Sequence, residues 1–327
     1  MKIYCILFDT CNYDKNLFSF FDKNKINYKP MITNSFTTTS LVSAFSGILP
    51  SEISKMGVGW DSCYVSKKPE EKLIWNSKIV FNKVPKSWKI EIYGDKNNYK
   101  FITNNCCKID IKYDEKIHTN YGDEIKILKS IQQKKCENTI FFIKYNHYHD
   151  NQSASSIERL TEIFTNIDFE EENAFFWIFS DHGYWGEIDN FMKPPHSSIG
   201  WNIVVNNIDK FCDTRQITHV SDLYHYIMKF ANKKDPEFVK KYYYCEDGRA
   251  SISPKTTTTF SVIEKVSDSS LLQMSYHAGY VRVYLYDLKE RKIKKTLYLK
   301  FDNVKQKKLL ALKDKLLQKY GDRIKNG

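Results

Sequence analysis

The stretch NSFTTTSLVSAFSGILP, residues 34–50, begins with hydroxyl side chains and ends with Gly-x-x-Pro. Its apolar residues have helical spacing and Gly47 follows the last turn, which predicts a short helix with Ser and Thr at its N-terminus. Hydroxyl groups at such an end lie beside free N–H groups and the positive end of the helix dipole. The stretch is therefore typical either of an ordinary hydroxyl cap or of an oxygen nucleophile that attacks an anion.

Apolar segments before and after this helix have the length and composition of buried strands. They cover residues 3–8, 88–93, 139–145, 174–179 and 201–205. Segments with helical spacing alternate with them, at residues 14–24, 122–135, 155–167 and 219–231. Alternating strands and helices predict an α/β fold, in which a mostly parallel sheet is covered by helices on both faces.

The sequence pattern changes near residue 250. Three later segments alternate apolar and polar residues as antiparallel strands do, at residues 258–262, 271–276 and 281–286. A Lys-rich helix is predicted over residues 303–319. We therefore expect a catalytic α/β domain over residues 1–249, and a small antiparallel sheet-and-helix subdomain over residues 250–327 that packs on it.

Side chains that suit metal chemistry follow three of the predicted strands. Asp9 follows the first strand, His147 and His149 follow the third, and Asp181 and His182 follow the fourth. Because ligands of open α/β sheets bind beyond the carboxyl ends of the strands, we expect these side chains to share one site. Taken alone, Asp9 is equally typical of a residue that caps a turn. The sequence Asp-His-Gly, taken alone, is typical of a turn that ends a strand. Their combination and order favour a divalent-metal site.

Composition limits the class of protein. With 327 residues, of which 42% are hydrophobic, the chain can bury a large core. The net charge of +11 comes from scattered lysines, which indicates either a solvated surface or attraction to polyanions or a phosphorylated substrate. Eight cysteines without a CxxC pair favour reduced thiols. No segment resembles a signal peptide or a membrane span, so we expect a cytoplasmic protein, with its oligomeric state left open.

Four segments together resemble the alkaline phosphatase superfamily, in its sulfatase-like branch. They are ILFDT at 6–10, the hydroxyl-rich stretch at 34–50, IKYNHYHD at 143–150, and FSDHGYWGE at 179–187 followed by Lys193. Weaker similarity extends to VSDLYHYIM and VYLYDL, so the resemblance touches most of the chain. The resemblance implies the sheet-plus-subdomain architecture described above and a metal-dependent reaction on an anionic ester.

The resemblance also implies roles for the residues at the strand ends. Asp9, Asp181 and His182 match the metal ligands of the family. Thr37, ten residues before Gly47, matches the nucleophile, which also binds the ion in that family.

Further residues match groups that contact the substrate. His147 or His149 is placed near the leaving group as an acid or an anion binder, and Lys193 matches a lysine that contacts the substrate anion. Thr38 and His196 are the remaining candidates for substrate contacts, although His196 is equally typical of an ordinary loop residue.

Two departures from the sulfatase pattern bear on the reaction. Sulfatases oxidise a Cys or Ser to formylglycine within a motif that ends in Arg, whereas this chain has Thr37 and Leu41 at those positions. Asp9 is followed by Thr10, which matches the single-acid pattern of phosphoethanolamine transferases and lipoteichoic-acid synthases. Those transferases are membrane-bound, whereas no span is predicted in this chain.

The sequence therefore predicts a metal-dependent hydrolase or transferase of phosphoesters, with a Thr nucleophile activated by Mn, Zn, Ca or Mg. One alternative is a sulfatase-like hydrolase of another anionic ester. The other is a fold that has lost turnover and serves as a structural or polyanion-binding protein, with nucleic acid as a possible partner.

Overall fold

A computed structural model describes most of the chain. The described residues are 1–9, 11, 15–35, 37–52, 77–93, 123–145, 154–182, 194, 198–209, 211–238, 241–246 and 259–325.

The main sheet has seven strands in the described part of the chain. They are β1 Lys2–Phe8, β2 Tyr28–Ile32, β3 Lys89–Tyr93, β4 Thr139–Tyr145, β5 Ala174–Ser180, β6 Ile199–Asn206 and β7 Thr218–His219. Their order is β3-β4-β1-β5-β6-β2-β7, and β3, β4, β1 and β5 are parallel. Strand β6 is antiparallel to both of its neighbours, β5 and β2. The predicted mostly parallel sheet is confirmed.

Five helices of the described chain cover the two faces of this sheet. They are α1 Lys15–Lys23, α2 Thr37–Ser46, α3 Asp123–Gln133, α4 Ala154–Thr165 and α5 Asp222–Asn232. Helices α2 and α5 pack on one face through residues such as Leu41 and Leu223. Helices α1, α3 and α4 pack on the other face through Leu17, Leu128 and Leu160. Strands β1, β4 and β5 are buried along their whole length because both of their faces are covered.

A second sheet follows, and its strands are all antiparallel. It contains β8 Tyr242–Glu246, β9 Phe260–Ser267, β10 Ser270–His277, β11 Tyr280–Asp287 and β12 Lys292–Lys300, in the order β12-β11-β10-β9-β8. The last helix, α6 Lys307–Lys325, packs on one face through Leu312 and Leu316. The other face packs against the main sheet, where Ile263 and Tyr286 join a cluster with Ile32. The predicted sheet-and-helix unit is therefore present.

Four strands were missing from the sequence prediction, namely β2, β7, β8 and β12. Strand β2 contains Pro30 and pairs antiparallel with β6, and β7 has only two residues. Strand β12 lies at the edge of its sheet and is rich in lysine, which hides its strand pattern. Strand β8 lies before residue 250 yet pairs with β9. The proposed division of the chain at residues 249 and 250 stays a prediction.

No helix in the described ranges is both long enough and apolar enough to cross a membrane. Cys5, Cys136 and Cys212 are free thiols, and Cys5 is buried in β1.

Candidate metal and nucleophile site

The site lies at the carboxyl end of three adjacent strands, β4, β1 and β5. Their register is level, because Phe8 pairs with both Tyr145 and Ser180. The backbone N–H of Asp9 donates to the carbonyl oxygen of Tyr145 at 3.0 Å, which extends the pairing by one residue. Asp9 and Asp181 therefore follow their strands at the same height along the sheet edge.

Asp9, Asp181 and His182 each direct one possible ligand atom into a common space. These three atoms all lie within 4.8 Å of one another. His182 Nε2 is 3.9 Å from Asp9 Oδ1 and 3.7 Å from Asp181 Oδ2. Such distances are too long for hydrogen bonds, but they suit ligands that share one ion, since each would then lie about 2 Å from that ion.

The donor set fits a divalent cation. Two carboxylates and one imidazole are ligands that Zn²⁺ and Mn²⁺ accept readily, and Mg²⁺ also binds carboxylates. Both carboxyl groups are buried, Asp9 with 3% and Asp181 with 0% of its surface exposed. A cation at this position would offset the cost of burying two like charges together.

Thr37 lies at the same place as the three possible ligands. It is the first residue of α2, so its hydroxyl is close to the free N–H groups of that helix end. Thr37 Oγ1 donates to Asp9 Oδ1 at 3.1 Å and lies 3.3 Å from His182 Nε2. The structure thus brings together the four residues that the sequence predicted as metal ligands, and Thr37 is half-buried among them.

Other hydroxyls of the stretch hold α2 in place, a role that the sequence did not reveal. The backbone N–H of Asn34 donates to Ser40 Oγ at 3.1 Å, and its side-chain Nδ2 donates to Ser43 Oγ at 2.9 Å. Ser40 Oγ in turn donates to the carbonyl oxygen of Asp181 at 2.7 Å. The start of α2 is therefore tied directly to the end of β5, which fixes Thr37 relative to the possible ligands.

Lys144 was missed by sequence reasoning. It belongs to β4, and its Nζ lies 2.6 Å from Asp9 Oδ2, with only 3% of its side chain exposed. The available signal was its position, since it is a charged residue inside the apolar strand TIFFIKY. A buried lysine in such a strand needs an anionic partner, and Asp9 is that partner.

Burial raises the pKa of the Asp181 carboxyl, and the charge of Asp9 raises it further. His182, the hydrogen bond from Thr37 and the charge of Lys144 act in the opposite direction without cancelling the rise. The group is therefore costly to ionise unless a further positive charge is close to it.

The remaining candidate residues lie outside the described part of the chain. They are His147, His149, Lys193 and His196, together with the side chain of Thr38. Their assigned roles at the leaving group and the substrate anion stay predictions.

The sequence matches no family model, and it matches no curated protein. Solved structures match its fold over nearly the whole chain, and two of them have TM-scores of 0.50 or more. One is a protein in the alkaline phosphatase superfamily from Vibrio parahaemolyticus, with 13% identity and a TM-score of 0.58, covering 99% of this chain and 87% of that one. The other is Ps i-CgsB in complex with k-i-k-neocarrahexaose, with 10% identity and a TM-score of 0.50, covering 98% of this chain and 92% of that one. The expected resemblance is confirmed at the level of the fold.

Proposed function

We propose that this chain, whose fold is that of the alkaline phosphatase superfamily, is a metal-dependent hydrolase or transferase of phosphoesters with Thr37 as its nucleophile. One observation carries the proposal: Thr37 Oγ1 lies 3.1 Å from Asp9 Oδ1 and 3.3 Å from His182 Nε2 at the start of a helix. A hydroxyl held between a carboxylate, an imidazole and free N–H groups is suited to attack an anionic ester.

In the proposed reaction, the hydroxyl of Thr37 gives its proton to solvent water and Oγ1 forms a bond to phosphorus. The bond from phosphorus to the leaving-group oxygen breaks at the same time, which leaves a phosphothreonine. Asp9 Oδ1 accepts the hydrogen bond of Thr37, so it orients the hydroxyl for this attack. Water then releases phosphate in a hydrolase, whereas an alcohol accepts the phosphoryl group in a transferase.

Charge on the transferred group is offset from two sides. The first N–H groups of α2 have no partner within the helix, so they would stabilise negative charge on an ester bound at Thr37. A divalent ion held by Asp9, Asp181 and His182 would polarise the ester and lower the pKa of the attacking hydroxyl. We place His147 or His149 at the leaving group.

We place the remaining contacts to the substrate anion on Lys193, His196 and Thr38. The choice of a phosphoester over a sulfate ester rests on the sequence. Threonine cannot become formylglycine, and Leu41 stands where sulfatases have their Arg. The fold likeness does not choose between these substrates, so the test includes both.

The proposal is tested by turnover of p-nitrophenyl phosphate, bis-p-nitrophenyl phosphate and p-nitrophenyl sulfate. Chelator-stripped protein is assayed alone and with Mn²⁺, Zn²⁺, Mg²⁺ or Ca²⁺. We expect metal-dependent release from a phosphate ester, and a loss of at least about 10³-fold in kcat for Thr37→Ala. Thr37→Ala should still bind the metal, which calorimetry measures.

Ser46→Ala is the matched control, because Ser46 lies at the other end of α2 and its hydroxyl donates to the carbonyl oxygen of Val42. This variant loses the same kind of group and should keep its turnover. A fully active Thr37→Ala protein would exclude Thr37 as the nucleophile. Release from the sulfate alone would favour the sulfatase-like alternative, and metal-free protein with steeply salt-dependent nucleic-acid binding would favour the polyanion-binding one.

A further inference from the structure

Lys144 is a charged residue in the most buried part of the main sheet. Its neighbours in β4 are buried apolar residues such as Ile143, and its own side chain is 3% exposed. An ammonium group is costly to bury unless a negative partner is in contact with it. The partner here is Asp9, at 2.6 Å, and Asp9 is also one of the three possible metal ligands.

The two oxygen atoms of Asp9 have different partners. Oδ2 contacts Lys144 Nζ, whereas Oδ1 accepts the hydrogen bond of Thr37 and faces His182. The lysine and a metal ion would therefore share one carboxylate, each on its own oxygen. Because both are cations, each weakens the binding of the other to Asp9.

We propose that Lys144 is a built-in counter-charge of the metal site. It neutralises and positions the Asp9 carboxylate before an ion arrives, and it lowers the affinity for the divalent ion by electrostatic repulsion. It also restricts Asp9 to a single metal-facing oxygen, Oδ1. This inference rests on the proposed function only in placing an ion at Asp9, Asp181 and His182, and it does not depend on the substrate.

The test uses Lys144→Met in the full chain, because methionine keeps the unbranched shape and most of the length of the side chain and removes its charge. Melting temperature is measured on chelator-stripped protein with and without Mn²⁺, and calorimetry gives the Mn²⁺ affinity. We expect the stripped variant to melt about 5 °C or more below the wild type, because Asp9 loses its partner. We also expect Mn²⁺ to bind at least about tenfold more tightly to the variant and to raise its melting temperature more.

Lys2→Met is the matched control. Lys2 begins β1, the strand whose other end leads to Asp9, and its Nζ lies 2.6 Å from Glu171 Oε1 with 11% of its side chain exposed. Its loss should also lower the melting temperature, but it should leave the Mn²⁺ affinity unchanged. A tighter affinity in Lys144→Met alone separates the electrostatic role from a general loss of stability.

The double variant Lys144→Met with Asp9→Asn covers the case in which the single variant does not fold. It removes both charges, so it should fold, melt within a few degrees of the stripped wild type, and bind Mn²⁺ at least about tenfold more weakly than the wild type. A double variant that also fails to fold contradicts the proposal. Unchanged or weaker Mn²⁺ binding in a folded Lys144→Met protein does so as well.

Failure of this inference can be told apart from failure of the proposed function. If Lys144→Met tightens Mn²⁺ binding while no ester is turned over, the counter-charge role stands without the enzyme. If the wild type turns over a phosphoester and Lys144→Met leaves the Mn²⁺ affinity unchanged, the inference alone is wrong. A wild type that binds none of Mn²⁺, Zn²⁺, Mg²⁺ and Ca²⁺ overturns both.

Discussion

Two buried clusters in this molecule have the same composition but different geometry. Each contains two aspartates, one basic side chain and one histidine. The site cluster consists of Asp9, Asp181, Lys144 and His182, and the second cluster consists of Asp213, Asp222, Arg215 and His219. The first lies at the ends of the central strands of the main sheet, and the second lies where β7 and α5 meet β8.

Direct hydrogen bonds hold the second cluster together. Arg215 Nη2 lies 2.6 Å from Asp213 Oδ2, and Arg215 Nη1 lies 2.7 Å from Asp222 Oδ2. The backbone N–H of His219 donates to the same Asp222 oxygen at 2.9 Å. The ring of Phe238 covers the guanidinium group, 3.7 Å from its carbon. The cation is already present in this cluster, and it is part of the protein.

In the site cluster the imidazole ring is farther from the carboxylates than a hydrogen bond allows. Lys144 Nζ lies 2.6 Å from Asp9 and the backbone N–H of His182 donates to Asp181 Oδ1 at 3.0 Å, but His182 Nε2 lies 3.9 Å from Asp9 and 3.7 Å from Asp181. Lys144 contacts one of the two carboxylates, Asp9, whereas burial and the charge of Asp9 raise the pKa of the other, Asp181. The two clusters thus combine the same kinds of side chain at different spacings, and among the described residues it is the site cluster that offers three possible ligand atoms within 4.8 Å of one another.

The largest expected effect comes from removing the cation of the second cluster. Arg215→Met leaves the fully buried Asp222 and the 4% exposed side chain of Asp213 without their basic partner, and we expect the free energy of unfolding to fall by about 3–5 kcal/mol. Urea denaturation measures the change. Mn²⁺ should not restore the lost stability, because the side chains that could together hold an ion in the described part of the chain are Asp9, Asp181 and His182, and none of them belongs to this cluster.

Lys241→Met serves as the control, since the ion pair of Lys241 with Glu264 is exposed. It should leave the urea midpoint unchanged. Restoration of Arg215→Met by Mn²⁺ would contradict the distinction between the two clusters, because it would show that an ion can enter the second one.

The next effect is a pH dependence carried by His219. Burial lowers the pKa of His219 to about 4, and although its hydrogen bond to the carbonyl oxygen of Tyr244 acts in the opposite direction, Arg215 adds to the decrease. The folded state thus holds the ring neutral while the unfolded state binds a proton near pH 6.5. Stability is therefore lost as the pH falls below about 6.5, and by pH 4.5 the loss reaches roughly 2–3 kcal/mol.

His219→Gln removes this titration and is the comparison for the measurement. Urea denaturation at pH 7.5 and pH 4.5 gives the loss of stability for each protein. Between pH 7.5 and pH 4.5 we expect the free energy of unfolding of the wild type to fall by roughly 2–3 kcal/mol more than that of the variant, because the other titrating groups are common to both proteins. Equal losses would mean that His219 is charged in the folded protein, which its buried position argues against.

The sequence predicted the site cluster better than the second one, for a physical reason. Asp9, Asp181 and His182 each follow an apolar run, and parallel strands bring such positions to one edge whatever their exact order. The start of the predicted helix indicated a hydroxyl at this edge, and the family resemblance, through the spacing to Gly47, selected Thr37 among the hydroxyls. The pairing of Lys144 with Asp9 depends on β4 lying beside β1 in a level register, which no local pattern specifies.

The second cluster was not predicted because its contacts join the predicted helix at residues 219–231 to segments that carry no strong local signal. Arg215 lies in an irregular segment, and β8 is a run of tyrosines that does not alternate as an amphipathic strand does. The same limitation explains the missed edge strand β12, whose lysines face solvent. Long-range pairing, and not propensity, decides these parts of the fold.

The smallest change in stability is expected for Asp181→Asn, and this variant tests directly whether Asp181 is a metal ligand or a residue that stabilises the fold. Because burial and the charge of Asp9 raise the pKa of Asp181, its ionised form is costly in chelator-stripped protein at pH 8. Asp181→Asn removes that charge but keeps an oxygen that accepts from the backbone N–H of His182. We expect the free energy of unfolding of the stripped protein to rise by about 1 kcal/mol, while Mn²⁺ affinity falls by at least about 100-fold. A gain in stability together with a loss of Mn²⁺ affinity is expected of a residue that binds a ligand at a cost in stability. A variant that loses both stability and Mn²⁺ affinity would instead show that Asp181, like Asp222, stabilises the fold.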